Sequence, residues 1–515
     1  MMTTTTTGPE EKWQAARLIP TSGISGQDEA ERRATSALLA VMSSVREFGQ
    51  AIIKPLGAPA GLITTYIEVP FTLGEHRCYP DGLIQTARGS QAWTALLEVK
   101  TGTAELERTQ IENYLDIARE QGFNAVVTIS NQITPAPGVH PVTVDKRKLK
   151  SVNLHHLSWA EIVTIAVRQR VHHGVSDPDQ AWILSELIRY LEHPKSGALD
   201  FSDMGATWVT IREAVAAGTL RTTDKGLAEV VSRWEQLLRF AALRLGRELG
   251  AEVQVQLSRK EYADPTVRAK DQAASLIARG QLTGTLKIPN AAAPLEIIAD
   301  VHAGKVTVSI DIPAPREGRP ITRINWLVRQ LKDAPAGLRI EAFAGNVRSS
   351  TSELLGTVRD DPAKLVADPS RELRVFKVAA TSMIGVKRGT GRGGFIDSVL
   401  AAIDGFYSSV VQELRPWSPK APQLPKGTAT AASEAGIDIT PPQSDISSPF
   451  EDLGSAPEED RYLLTEELED IIEETSEMVI TWETAHERLD RERIYDRPST
   501  VDRETEPEDG PDRAP

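Results

Sequence analysis

The sequence predicts an α/β protein in which an N-terminal α-β-β-β-α-β core is followed by an α+β domain and a disordered acidic tail. Hydrophobic residues alternate between helical and strand spacing across residues 25–172, and three successive strand patterns mark residues 226–417. The charge separates the third region, because residues 431–515 carry 26 acidic and 7 basic side chains, a charge of −19 that leaves +5 for residues 1–430. A mildly basic body is compatible with phosphate binding.

The N-terminal domain is expected to open with a long helix and a strand. Apolar residues recur at helical spacing over residues 27–53. Glu29 and Glu31 stand in the first turn of this helix, where the helix dipole favours acidic side chains. Residues 62–71 alternate as a strand. Residues 1–24 contain a threonine run without the apolar segment of a secretory signal, and we predict a disordered tail there.

A β-hairpin carries the most informative residues of this domain. Its strands are predicted at residues 83–86 and 93–100, joined by a turn that contains glycine. Because successive side chains of a strand point to opposite faces, Glu98 and Lys100 share one face. Asp81 lies just before the first strand, so we expect it at the same end of the hairpin as Glu98.

A polar helix, predicted at residues 104–121, completes this unit. Residues four apart on a helix share a face, so one side of the unit can gather five polar side chains: Asp81, Glu98, Lys100, Gln110 and Tyr114. Two carboxylates can hold a hard divalent cation, which can lower the pKa of a bound water and bind a phosphate oxygen. A nearby lysine can orient that water or offset developing negative charge. These residues therefore predict a site that hydrolyses a phosphodiester.

The same residues resemble the motifs of the PD-(D/E)xK nuclease superfamily, whose members have the restriction-endonuclease-like fold. Pro80-Asp81 followed by Glu98-Val99-Lys100 is similar to the core motif of the superfamily. The segment from Gln110 to Tyr114 is similar to the QxxxY motif of its RecB-like branch. The resemblance covers residues 25–170 and implies a restriction-endonuclease-like arrangement of the predicted core.

The resemblance also implies a metal ion and its ligands. It implies Mg²⁺, with Mn²⁺ as the alternative, held by Asp81, Glu98 and the main-chain carbonyl of Val99. Lys100 would position the attacking water. DNA is the implied substrate, favoured over RNA because most of the superfamily acts on DNA.

Further roles follow from the same resemblance. Gln110 and Tyr114 would brace the site or touch the scissile backbone. The first helix in this superfamily often supplies an additional acid to the metal, for which Glu31 is our choice ahead of Glu47 and Glu29. The alternative, which stays open at this stage, is that these acids only complement the helix dipole.

The rest of the domain supplies two strands and a capped helix. Strands are predicted at residues 125–130 and 152–157. Ser158 is expected to cap the next helix, with Glu161 at the capping-box position. A basic cluster before the second of these strands is a candidate for phosphate contact, with a solvated turn as the alternative, and it consists of Lys146, Arg147 and Lys148.

In the second half of the chain we recognise no set of catalytic residues. A helical connector spans residues 173–225, and the α+β domain spans residues 226–417. Residues 387–394 satisfy GxGxxG, but the following helix leads into a Pro-rich region and not into a βαβ unit, which excludes a dinucleotide site. A basic glycine loop before a helix can still bind a nucleic-acid phosphate, and its cations are Lys387, Arg388 and Arg392.

The C-terminal region is predicted to consist of a linker, a helix and a tail. Residues 418–456 are rich in Pro and Ser and are predicted to form a linker. Residues 457–497 form an acidic helical pattern with one apolar side, which could bind a protein partner or fold back over the basic body. Residues 498–515 are predicted to be disordered.

Composition restricts the setting of the protein. Cys78 is the only cysteine, so no internal disulfide can form, and a cytoplasmic, reducing setting fits. No apolar run reaches the length of a membrane span, so we expect no membrane association.

The sequence therefore predicts a metal-dependent nuclease. By analogy with the superfamily, its role would lie in restriction, phage defence or DNA repair. Two rivals stay open. The first is a catalytically inactive protein of the same fold that binds nucleic acid or a protein in a stress or defence system. The second is an interaction protein that works through the second domain and the acidic helix.

Overall fold

Two β-sheets with helices packed on them organise the chain. The structure, a computed structural model, describes residues 14–15, 27–135, 138–198, 201–345, 350–385 and 393–419. Several predicted features lie outside these ranges: most of the N-terminal tail, nearly all of the linker, the acidic helix, the C-terminal tail, and the cations Lys387, Arg388 and Arg392. The described chain is a mixed α/β protein, as predicted.

The N-terminal sheet is mixed. Its strands are β1 (Gln14–Ala15), β2 (Leu62–Ile67), β5 (Gly82–Arg88), β6 (Gln91–Val99), β7 (Ala125–Ser130) and β8 (Asn153–Ser158), and a separate ribbon is formed by β3 (Phe71–Leu73) and β4 (His76–Cys78). The strand order is β1-β2-β5-β6-β7-β8. The pairs from β1 to β6 are antiparallel, and β6, β7 and β8 are parallel. The prediction of disorder before residue 24 is wrong for Gln14 and Ala15, which pair with β2.

Helices cover both faces of this sheet. They are α1 (Gln27–Ser44), α2 (Arg46–Ile53), α3 (Arg108–Gln121), α4 (Trp159–Val167) and α5 (Pro178–Leu191). Leu97 and Val99 enter the core that contains α1, α2, α4 and α5, and Leu96 enters the core beneath α3. Because side chains alternate along β6, Glu98 follows Leu96 on the face that carries α3.

The sequence located the hairpin and the helix cap correctly. Strands β5 and β6 pair with Leu83 opposite Leu96, although the turn occupies only Gly89 and Ser90 and is shorter than predicted. Ser158 and Glu161 form a complete capping box at the start of α4. Both features depend on residues close together in the sequence, so local patterns were sufficient to predict them.

Three predicted boundaries in this region are wrong. The first helix breaks at Val45, whose backbone is extended, and α2 then packs so closely at Gly49 that a Cβ there would lie 2.2 Å from the Met42 carbonyl oxygen. Strand β2 ends before Glu68, where the backbone takes a positive φ of 49°. Helix α3 begins at Arg108 and not at residue 104.

The C-terminal sheet is entirely antiparallel. Its strands are β9 (Gln254–Val255), β10 (Gln281–Lys287), β11 (Leu295–Asp300), β12 (Lys305–Pro313), β13 (Arg339–Ala344), β14 (Ser350–Leu354) and β15 (Leu373–Met383), in the order β14-β13-β15-β12-β11-β10-β9. The β10-β11-β12 meander is confirmed. Strand β9 has only two residues, and β14, whose sequence is mostly polar, shows no strand pattern in the sequence.

One face of the C-terminal sheet is covered by helices. They are α6 (Trp208–Ala216), α7 (Leu227–Leu249), α8 (Arg259–Ala263), α9 (Pro265–Arg279), α10 (Pro320–Gln330), α11 (Leu355–Asp360) and α12 (Phe395–Ser409). The last of them, α12, ends at Ser409, before the predicted Pro-rich linker. Among the described residues, no helix is both long and apolar enough to span a bilayer.

Candidate active site

The ends of β5 and β6 bring two predicted acids to neighbouring positions. Gly82 pairs with Leu97, so the antiparallel register places Asp81 across from Glu98. The Asp81 carboxylate accepts a hydrogen bond of 2.7 Å from the backbone N–H of Val99. This bond fixes Asp81 against the very residue whose carbonyl was predicted to bind a metal.

Glu98 is a buried carboxylate whose charge is balanced by Lys100. The residue is 1% exposed, and Lys100 Nζ lies 2.6 Å from Glu98 Oε1, so this oxygen forms an ion pair with the lysine. The Tyr114 hydroxyl is a second polar neighbour, and both partners oppose the effect of burial on the pKa of Glu98. A buried carboxylate of this kind depends on such partners, because it is costly to bury without them.

Helix α1 brings a third acid, Glu31, to Lys100. Lys100 Nζ lies 3.2 Å from Glu31 Oε1, so Lys100 stands between the carboxylates of Glu31 and Glu98. The two alternative acids are engaged elsewhere: Glu29 pairs with Arg33, and Glu47 accepts a 2.9 Å hydrogen bond from Ser176 Oγ. Of these three acids, the structure therefore brings only Glu31 to Lys100.

Helix α3 places its predicted pair beside the same residues. Gln110 Nε2 donates to Tyr114 Oη at 3.1 Å, and Tyr114 Oη donates to the carbonyl of Tyr79 at 3.3 Å. Tyr114 is 3% exposed. The Tyr79 carbonyl lies two residues before Asp81, so this chain of bonds ties α3 to the segment that carries the acid.

Burial and charge shift the pKa values of the site in a consistent way. Burial and the neighbouring Glu98 carboxylate raise the pKa of Asp81 well above its ordinary value. Burial also raises the pKa of Glu98, although Lys100 opposes this. Burial lowers the pKa of Lys100, but contact with Glu98 and Glu31 outweighs it and raises that pKa above its ordinary value. Negative charge is therefore in excess here, a condition that a bound cation relieves.

The donor set fits Mg²⁺ in one arrangement. Mg²⁺ is usually bound through one or two carboxylates, with water and substrate phosphate filling the other positions. The Asp81 and Glu98 carboxylates and the Val99 carbonyl could supply such a set, with Lys100 giving up part of its contact with Glu98. Within the described residues, no group of three or more Asp, Glu, His or Cys side chains is arranged to hold a metal. Direct ligation by Glu31, which contacts Lys100, stays a prediction.

The basic cluster before β8 lies away from these residues. Lys148 forms an ion pair with Asp116 on α3, and Arg147 Nε lies 3.3 Å from Asp145. Asp116 is two positions from Tyr114, which places it on the opposite side of α3. Lys148 is thus paired with an acid on the far side of the helix, and Arg147 with an acid of its own loop, whereas Lys146 is exposed.

Trp159 is a neighbour of the site that sequence reasoning missed. Its indole N–H donates to the Lys100 carbonyl at 2.9 Å, and the residue is 1% exposed. In the sequence, Trp159 is marked only by its position directly after the predicted cap residue Ser158. Its proximity to Lys100 arises from the parallel pairing of β6, β7 and β8, which brings the start of α4 to the end of β6.

A cavity lies at the opposite end of β6. Its volume is about 350 Å³, and Trp93, Arg119 and Phe123 are among its lining residues. None of the predicted site residues lines it. Trp93 and Val99 are six residues apart on one strand, a separation of about 20 Å, so the cavity and the acids are separate features.

Comparison with known proteins adds no relative. The sequence matches no protein-family model, and no curated protein or solved structure is significantly similar to it. The interpretation of the site therefore depends on the residues and geometry described above.

Proposed function

We propose that this protein is a metal-dependent nuclease that cleaves phosphodiester bonds in DNA. The observation that carries the proposal is the buried Glu98 carboxylate, which lies across the strand pair from Asp81 and contacts Lys100. Two neighbouring carboxylates next to a lysine suit the binding of a divalent cation and a phosphate. The motif resemblance supports DNA as the substrate and a role in restriction, phage defence or repair.

Each residue would contribute a defined part of the reaction. Asp81, Glu98 and the Val99 carbonyl would hold Mg²⁺ or Mn²⁺, which when bound supplies Lewis acidity toward phosphate and water. Lys100 stays protonated because its pKa is raised, so it would orient water and stabilise negative charge and would not act as a base. Burial and the Glu98 charge raise the pKa of Tyr114, so its hydroxyl remains a hydrogen-bond donor.

A catalytically inactive scaffold is the second candidate function. The observation that favours it is the position of Lys100, which contacts both Glu98 and Glu31. Such an ion-pair network can hold the strand ends together without a metal. The same fold would then bind nucleic acid or a protein without cleaving it.

Cleavage assays with matched variants separate these candidates. Full-length protein is incubated with labelled single- and double-stranded DNA and RNA in Mg²⁺, Mn²⁺ or EDTA. We expect metal-dependent cleavage of DNA, and a loss of about 10²-fold or more in Asp81→Asn and Lys100→Gln. The control is Asp116→Asn, which removes an acid paired with Lys148 on the far face of α3 and should retain the wild-type rate.

The outcomes are distinct. Equal cleavage by wild type, Asp81→Asn and Lys100→Gln would reject the assigned site. DNA binding without cleavage, at one affinity in wild type and Asp81→Asn, would favour the scaffold.

A further inference from the structure

We propose that helix α7 of the C-terminal sheet unit braces the candidate site, with Arg239 and Trp159 acting as positioning residues for Lys100. This inference rests on the proposed nuclease function and deepens it. It means that the C-terminal sheet and its helices help to set the geometry of the site.

The first step is the clamp on the Lys100 backbone. The Lys100 N–H donates to the Ile129 carbonyl at 2.7 Å, and the Lys100 carbonyl accepts from the Trp159 indole at 2.9 Å. The peptide groups on both sides of Lys100 are therefore held, one by β7 and the other by α4. Loss of the indole bond would free the peptide that follows Lys100 and leave its buried carbonyl without this donor.

The second step is the anchoring of Trp159 by the capping box. Glu161 Oε2 accepts from the Ser158 N–H at 2.8 Å and from Ser158 Oγ at 3.1 Å. Ser158 Oγ in turn accepts from the Glu161 N–H at 3.1 Å. Trp159 is the first residue of α4, directly between these partners, so the cap fixes the backbone from which the indole projects.

The third step crosses to the other sheet unit. The second oxygen of the same carboxylate, Glu161 Oε1, accepts from Arg239 Nη2 on α7 at 2.9 Å. Both side chains are nearly buried, with exposed fractions of 10% for Arg239 and 14% for Glu161. One turn further along, Thr164 Oγ1 donates to the Leu243 carbonyl at 3.4 Å. One carboxylate thus joins the α4 cap to α7.

The energetics favour a coupled unit over two independent contacts. A shielded ion pair that also shares a carboxylate with a helix cap is expensive to break, because the remaining charge stays buried. A displacement of α7 would therefore pull on the cap, on Trp159 and on the Lys100 carbonyl in turn. Misplacement of a reactive group by about 1 Å can lower a rate by about 10²-fold.

The first test measures cleavage kinetics of the full-length protein. We expect Trp159→Phe to lower kcat by about 10-fold to 100-fold with KM for DNA unchanged, because orientation of Lys100 is lost while binding is kept. The control is Trp93→Phe, which changes a buried tryptophan at the opposite end of β6, about 20 Å from the acids, and should keep the wild-type kcat. Equal kcat values in wild type and Trp159→Phe would overturn the positioning role while leaving the nuclease proposal intact.

The second test does not depend on activity. The protein is labelled with ¹⁵N at its nine tryptophans, and the Trp159 indole signal is identified by its loss in Trp159→Phe. We expect Arg239→Gln to speed hydrogen exchange at this indole about tenfold, and Arg239→Lys to restore part of the protection. The control is Arg244→Gln, which breaks the pair of Arg244 with Asp404 on α12.

A second variant keeps the proposal testable if Arg239→Gln folds poorly. Arg239→Met combined with Glu161→Gln removes both buried charges and retains a residue that can complete a capping box. It should show the same faster indole exchange. Unchanged exchange in this variant would overturn the coupling, whether or not the wild-type protein cleaves DNA. Absence of cleavage in the wild type would reject only the proposed function.

Discussion

At the residue scale, the chemistry of the site depends on two buried acids. Asp81 and Glu98 have raised pKa values because burial disfavours their charged forms, and Lys100 offsets this only in part. Strained, charge-rich sites of this kind are characteristic of function, since a core selected only for stability would avoid them. The acids are therefore expected to lower stability in the absence of a cation.

A neutral substitution of Asp81 should stabilise the metal-free protein. The folded state holds the Asp81 proton more tightly than the unfolded chain does, so the group contributes stability below its ordinary pKa of 3.8. That contribution is lost as pH rises through the folded-state pKa. At pH 7.5 in EDTA, Asp81→Asn should raise the unfolding temperature by about 2 °C or more, because Asn can still accept the Val99 N–H.

The same experiment examines metal binding. Mg²⁺ should raise the unfolding temperature of the wild type and not that of Asp81→Asn, because a ligand that binds only the folded state stabilises it. A lower unfolding temperature for Asp81→Asn in EDTA, or an equal response of both proteins to Mg²⁺, would contradict the assignment of Asp81.

At the element scale, the edge of the C-terminal sheet is closed by a side chain. Strand β10 pairs with β9 only at Leu286 and Lys287, which leaves the outer edge of Thr283 open. The Gln272 amide on α9 accepts from the Thr283 N–H at 3.1 Å and donates to the Thr283 carbonyl. Gln272, together with the Trp234 indole that also donates to the Thr283 carbonyl, thus occupies groups with which a neighbouring strand would pair.

Removal of this side chain should destabilise the sheet. Gln272 is 4% exposed, so Gln272→Ala leaves the part-buried Thr283 N–H without its acceptor and should lower the free energy of unfolding by about 1 kcal/mol or more. Urea unfolding measures the change. The control is Gln254→Ala at an exposed position of β9, which should unfold like the wild type. Similar losses in both variants would show that Thr283 does not depend on Gln272.

At the scale of the whole molecule, the described residues up to 419 form one compact unit that contains both sheets. The candidate site lies in this unit, in which the α4–α7 contact joins the two sheets. The strongly acidic composition of residues 431–515 favours a different task, and binding of a protein partner through the helix predicted at residues 457–497 stays a prediction.

Deletion of residues 420–515 should therefore preserve cleavage. The truncated protein retains every residue assigned to the site and to its bracing, so its unfolding temperature and its kcat should match those of the full chain. Gel-shift titration at several salt concentrations measures whether removal of the acidic residues strengthens DNA binding, as charge repulsion predicts. Loss of cleavage on truncation would show that residues 420–515 take part in catalysis.

The sequence by itself determined the hairpin, the spacing of Asp81, Glu98 and Lys100, the shared face of Gln110 and Tyr114, and the capping box at Ser158. These features follow from the strand and helix periods, which act between residues close in the chain. The family resemblance added Glu31 to this set, but it did not fix which partner that acid would contact.

Only the tertiary structure decided what surrounds Lys100. Its contacts with Glu31 and Trp159 join residues 69 and 59 positions apart, and the Arg239–Glu161 contact spans 78 positions. No local period specifies such pairs, because they arise from the parallel pairing of β6, β7 and β8 and from the packing of α7 on α4. The acids could therefore be predicted from local sequence patterns. The groups that hold them in place could be identified only from the folded structure.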